Sequence, residues 1–325
     1  MPRNADNAIL YMEAGQTAHA MAALTDSGDH QIFTSGVDMW SKAAGYEPDV
    51  KPNGLATGGV LTVNSGTNNS VKCAALTAYI AGVLKSVAAN NALSCPRGST
   101  NAIRIHSIVT DGSTISVTSG TEGTAFSETR GAAGGPPLIA VGSIEIGQVR
   151  LSSLTAAEVA ASEIKQVVGT HQERYDYPPH SINYADGQVE FTAALPAIHT
   201  GPTAKGVFAQ FYEPEFSEVT NATDVVLPEE SHSSSSKQVY GGTIGSSSTS
   251  LGQGSFTTYL EDGISDSIIA AKNDERWFRL FPNRHGTNHM RCLAKLGIKR
   301  TWPAGDTINA ACTLTATQAA TEVVA

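Results

Sequence analysis

Three short segments of this chain carry the residue pattern of a lysine-activated serine nucleophile. Ser162-Glu163-Ile164-Lys165 fits S-x-x-K, Ser181-Ile182-Asn183 fits S-x-N, and Lys295-Leu296-Gly297 approximates K-T-G. In such sites the lysine helps the serine oxygen attack a carbonyl, and the serine must stand at the first turn of a helix, facing a cleft. The sequence instead puts Ser162 in the second half of its expected helix, and Lys295-Leu296-Gly297 lacks the hydroxyl residue, so the set reads as coincidence in a Ser-rich chain. His285 and His289 are four apart, a spacing that binds metal on a helix, but Pro282, Asn283 and Gly286 make their segment a turn. His171 and His180 flank the Tyr175–Pro179 turn, where packing accounts for them. Glu261 and Asp262 are adjacent at a strand end and would point to opposite faces, which does not flank a glycosidic bond; with Gly263 they read as a turn. Gly131 to Gly135 has no following Lys-Ser/Thr and no helix start, so it reads as a linker and not a phosphate loop. The expectation is no catalytic residue, no cofactor-binding residue, no metal ligand and no enzyme.

Composition bounds the alternatives. The chain has 325 residues, enough for two domains, and only 16% of them are charged, below the roughly 25% usual in soluble domains. Ala, Gly, Ser and Thr fill the difference, as in a subunit that covers much of its surface with copies of itself or in a stiff extracellular-style β protein. The net charge of −9 argues against a protein that grips nucleic acid, though not against a channel wall past which DNA slides. Four cysteines, Cys73, Cys95, Cys292 and Cys312, are far apart and lack C-x-x-C spacing, so free thiols are expected, with a Cys73–Cys95 bridge the one conceivable pairing. The apolar run Ala8–Met12 is shorter than a signal-peptide core, and no later run approaches a membrane span, which predicts a soluble protein made in a cytoplasm.

Charge is also segregated along the chain. Between Gly206 and Ser236 there are six acids and no Lys or Arg; between Ala271 and Arg300 there are eight bases and two acids. Both blocks read as solvated faces, or as the two sides of a head-to-tail contact between subunits.

The elements that would position these residues are mostly strands. Residues 1–57 read as a short strand at Ile9–Met12 followed by a polar segment, either a disordered tail or an arm ordered by a neighbour, with Ile32, Phe33, Met39 and Trp40 favouring the arm. Residues 58–130 read as an inserted or decorating β-module, with a hairpin across Thr110-Asp111-Gly112-Ser113 and β structure over the ambiguous stretch Val71–Ala88. Residues 131–325 follow as the main β domain, to which the strand and arm of residues 1–57 also belong. In it Leu138–Leu151 reads as a strand pair, and Thr155-Ala156-Ala157-Glu158 as the capping box of a helix over about 155–168. A second hairpin is expected across Ala185–Gln188, and residues 213–251, with Ser231–Ser236 almost pure serine, read as a long loop.

The last quarter is the most regular. Gly254–Gly263, Glu275–Asn283 and Pro303–Ala316 each alternate large apolar with small or polar residues between Gly, Pro, Asn or Asp, as half-buried antiparallel strands do. Together these runs resemble the C-terminal half of the major tail tube protein of long-tailed bacteriophages. The resemblance extends from about Leu138 to the end and is poor over residues 58–125. It implies a mainly β fold, an antiparallel sandwich or barrel with one flanking helix at about 155–168 and an added β-module. It also implies a structural virion protein of the tail, assembled in the host cytoplasm, whose subunits close into six-membered rings that stack around a channel for the genome. The implied partners are the chain itself, a tape measure protein in the lumen, tail terminator and tail-tip proteins, and DNA only in transit; no membrane is implied. A capsid decoration or spike subunit, or a virion-associated hydrolase, would share the composition.

Overall fold

The computed structural model describes residues 7–324. Strand accounts for 51% of the chain and helix for 2%, so the fold is mainly β; the sheets are antiparallel and none closes into a barrel among the described residues. The chain divides into two compact units. The first comprises residues up to Ala18, Met39–Pro48 and Phe211 onward; the second comprises His19–Asp38 and Asp49–Gln210. The boundaries expected at 57/58 and 130/131 both fall inside the second unit.

The first unit is built on one twisted sheet. Its strands are β1 (Ile9–Ala23), β2 (Val207–Glu218), β3 (Ala222–Val226), β4 (Glu230–Val239), β5 (Gly242–Leu251), β6 (Gly254–Tyr259), β7 (Glu275–Phe281), β8 (His289–Thr301), β9 (Asn309–Ala316) and β10 (Thr321–Val323). β1 and β2 each begin in one unit and end in the other. The sheet order is β3-β6-β9-β8-β7-β1-β2, with β10 also on β8 and β4–β5 a separate pair. Period-two alternation makes one face apolar. Leu10 and Met12 of β1, Phe278 of β7, Cys292, Ala294 and Leu296 of β8, and Cys312 and Leu314 of β9 pack there with Phe256. The opposite face holds a buried carboxylate. Glu13 is fully buried and accepts from the Ser41 hydroxyl, the Trp277 backbone N–H (3.1 Å) and the Gln16 amide (2.8 Å). Trp277 Nε1 donates to the Trp40 carbonyl, and the Trp40 ring stacks on Phe211 at 4.7 Å. The expected arm is therefore ordered: its Trp40 is fully buried within this unit, and the expected short strand at Ile9–Met12 continues to Ala23.

The second unit contains several short sheets around a core that includes Leu55, Val71, Ile108, Ile144, Ile146 and Val149. The stretch Val71–Ala88 is β, as expected: Ser70–Cys73, Leu76–Ile80 and Val83–Val87. Both expected hairpins form, Arg104–Thr110 with Ile115–Ser119 and His180–Asn183 with Gln188–Phe191. Leu138–Leu151 holds one strand only, Ile144–Leu151; Ile139 makes an isolated parallel bridge to His199.

The flanking helix at 155–168 does not form. Ala161–Glu163 is a single 3-10 turn and Ile164–Lys165 is a strand on Gln148–Val149. Tertiary partners take the groups a helix would use. The Ala157 carbonyl accepts Asn69 N–H (2.9 Å), the Glu158 carboxylate accepts Gly66 N–H (2.7 Å), and Val159 is buried in the core. The reciprocal carboxylate contact appears later, with the Glu163 side chain accepting Ala160 N–H at 2.9 Å. The Gly-rich segment after Arg130 is likewise not a loose linker. Gly131 N–H bonds Pro136 O and Gly134 N–H bonds Thr121 O, and a Cβ on Gly123 would stand 2.5 Å from Gly134 N. All four cysteines are buried free thiols. Among the described residues no helix is long and apolar enough to cross a membrane.

Candidate assembly surface

The segment expected to be a loop contains a long two-stranded ribbon. β4 and β5 pair over ten consecutive residue pairs, from Glu230↔Leu251 to Val239↔Gly242, closed by Tyr240-Gly241. Strand propensity alone gives no reason for a serine strand. Here cross-strand hydroxyl pairs on one face supply local partners: Ser231–Ser250 at 3.0 Å, Ser233–Ser248 at 2.7 Å and Ser235–Ser246 at 2.8 Å. Every described side chain from Glu230 to Ser250 is exposed, so the ribbon buries no apolar face of its own. At about 3.3 Å per residue it reaches roughly 33 Å from its base. The shaft is polar, with Glu230 at its base, whereas the tip is not: Tyr240 is fully exposed and Ile244 63% exposed, with Lys237 directly across from Ile244.

Beside the edge strand β3 of the same unit lies a groove of about 900 Å³ with a mixed apolar and polar lining. Ile9 and Leu10 of β1, Ala222 and Val225 of β3, and Leu280 and Pro282 at the end of β7 supply its apolar lining, and Asn7, Thr223, Asp224 and Asn283 its polar lining. Asp224 is exposed and sits at φ +52.

The two charge blocks share this sheet. Glu213, Glu215 and Glu218 lie on β2; Arg276 and Arg279 lie on β7, Arg291, Lys295, Lys299 and Arg300 on β8. Part of the basic block is already engaged. Arg276 pairs with Asp274 at 2.8 Å, Arg279 lies 3.9 Å over the Phe216 ring, and Arg300 donates to the Gly263 carbonyl at 2.7 Å. Lys295 and Lys299 are exposed.

The residues with chemical potential are scattered by the fold. Ser162 sits in the 3-10 turn, Lys165 and Ser181 on strands of the second unit, and Lys295 on β8 of the first. His285 is in an exposed turn, and His289 starts β8 stacked on Phe281 at 4.7 Å. Glu261-Asp262 is a bend: Asp262 accepts the Ser265 hydroxyl (2.5 Å), Ile264 N–H (2.6 Å) and Ser265 N–H (2.7 Å), which in that order hold its carboxyl down at about 2. No group of three or more His, Cys, Asp or Glu that could hold a metal occurs among the described residues.

One ionic cluster was not visible in the sequence. In the second unit Glu145, 1% exposed, accepts from the Arg130 guanidinium, the Ser107 hydroxyl and the Gln148 amide (3.2 Å). Glu173 accepts the Glu145 backbone N–H at 2.9 Å through Oε2, while its Oε1 is buried with no hydrogen-bond partner. Burial pushes the Glu173 carboxyl up; the fields of His199 and Lys205 oppose that shift. Lys205 donates to the carbonyls of Arg174 (2.6 Å) and Tyr177 (2.8 Å), and burial brings its ammonium down to about 8. A cavity of about 170 Å³ adjoins Arg130, Glu173 and Lys205. The sequence signal was an acid inside an apolar run, Ile144-Glu145-Ile146, which alternation alone reads as an outward-facing residue.

No protein-family model matches the chain, and no curated protein matches it.

Proposed function

We propose that this chain is a structural, non-catalytic subunit that polymerises with copies of itself, the tube subunit of a long-tailed phage tail. In this reading successive copies join head to tail, close into rings, six-membered by resemblance, and stack into a channel. The tape measure protein occupies the lumen, terminator and tip proteins bind the two ends, and DNA only passes through.

The observation that carries the reading is the β4–β5 ribbon. An isolated two-stranded hairpin is marginal in water, yet this one extends over ten pairs with every described side chain from Glu230 to Ser250 exposed. A neighbouring subunit's surface gives it the support that its own chain does not supply. The low charged fraction and the mainly antiparallel sheets agree with this reading.

The test is negative-stain electron microscopy of the full chain over a concentration series. Stacked rings or hollow tubes with a pore at least as wide as a DNA duplex are expected. Discrete particles at every concentration, unchanged by adding tail-tip proteins, would overturn the tube and favour a decoration or spike subunit.

A further inference from the structure

We infer that the tip of the β4–β5 ribbon is an anchor for a second copy of this chain, seated in that copy's groove between β1, β3 and β7; this rests on the self-assembly reading above. The tip presents an aromatic and an aliphatic side chain, Tyr240 and Ile244, beyond a shaft of mostly serine and threonine that is polar throughout. The groove of about 900 Å³ is lined by Ile9, Leu10, Ala222, Val225, Leu280 and Pro282. That volume lies within the roughly 300–1,000 Å³ of sites that accept compact organic groups. Charge matches as well. Lys237, beside the tip, and Asp224, at the groove edge, are both exposed and have no ion-pair partner among the described residues.

Geometry selects another copy as the occupant. β3 ends at Val226 and the ribbon begins at Glu230, so the base of the ribbon lies beside the groove of its own chain. The ribbon's length of roughly 33 Å then separates the tip from that groove. A tip that leaves one groove and enters the next makes a heterologous contact, which repeats into rings or filaments instead of stopping at a dimer. Burying the tyrosine and isoleucine supplies affinity, and the Lys237–Asp224 pair sets the register.

The experiment uses the full chain and reads the concentration at which it associates, by analytical ultracentrifugation and light scattering. Tyr240→Ser with Ile244→Ser, and separately Lys237→Glu, Asp224→Lys and Asp224→Asn, are each expected to raise that concentration about ten-fold or more. The double variant K237E/D224K is expected to recover most of the loss. The thermal midpoints should stay within a few degrees of the parent, because all of these side chains are exposed. Association insensitive to the tip, or a double charge swap no better than its singles, overturns the anchor while tubes in the microscope keep the assembly reading. Variant-sensitive association into discrete particles keeps the anchor and overturns the tube. A chain that stays monomeric throughout overturns both.

Discussion

Glu173 is the residue with the clearest electrostatic tension. Its Oε1 is buried without a partner, Lys205 and His199 act on it through their fields, and burial raises its carboxyl above the ordinary 4.5. The folded chain therefore holds this proton to higher pH than the unfolded chain does. Over that interval the native state binds more protons, so stability falls as pH rises from about 4.5 through the folded value. Lys205 acts in the opposite sense. Its folded value of about 8 lies below the ordinary 10.5, so from pH 8 upward the unfolded chain binds more protons and stability rises. Glu173→Gln should remove the first slope. Urea unfolding of wild type and variant between pH 4.5 and 7 should give a stability difference that moves against the wild type as pH rises, by at most about 1.4 kcal/mol per unit. Parallel profiles would mean that Glu173 titrates as it does in water. Beyond the acid in the apolar run at Glu145, nothing local marks this group, because its environment is assembled from Arg130, Glu145, His199 and Lys205, which are up to 75 positions apart.

At the scale of elements, the strands that alternate cleanly were legible: Gly254–Tyr259, Glu275–Phe281 and Asn309–Ala316 fall inside the runs read as strands. The misses share a cause. The helix expected at 155–168 and the loop expected at 213–251 follow from single-residue propensity, and pairing overrides it in both places, with distant segments in the first and across the hairpin itself in the second. The candidate assembly surface was half legible: the serine run and the charge blocks stood out, but not the pairing that lifts Tyr240 and Ile244 to a tip. The turn between Leu76–Ile80 and Val83–Val87 offers a direct test of local chemistry. Ala81 and Gly82 occupy it at φ +53 and +74, the two-residue turn that prefers Asn-Gly. Ala81 is exposed, so Ala81→Asn should stabilise the protein by up to about 1 kcal/mol by relieving a left-handed alanine. Gly82→Ala should instead destabilise it, since a Cβ there would sit 2.4 Å from Met21 Cγ as well as at positive φ. Denaturant midpoints moving in the same direction for both variants would contradict this account.

For the whole molecule, charge acts at two ranges, and salt separates them. The net −9 makes copies repel at long range, whereas in the proposed contact Lys237 with Asp224, and Lys295 and Lys299 with the exposed acids Glu215 and Glu218, would attract at short range. At about 0.01 M salt the screening length is near 30 Å and the whole-molecule repulsion is felt; at about 0.15 M it is near 8 Å and repulsion fades first. At about 1 M it is near 3 Å, and exposed pairs lose their attraction too. Association measured by light scattering in sodium chloride should therefore strengthen from 0.01 to about 0.15 M and weaken toward 1 M. The apolar tip does not weaken with chloride, so assembly should persist at 1 M at a higher protein concentration instead of vanishing. K237E/D224K should follow the same curve, because it reverses the pair without changing the net charge. A flat response from low salt to 1 M would remove electrostatics from the contact, and a steady rise would leave the apolar anchor as its sole support.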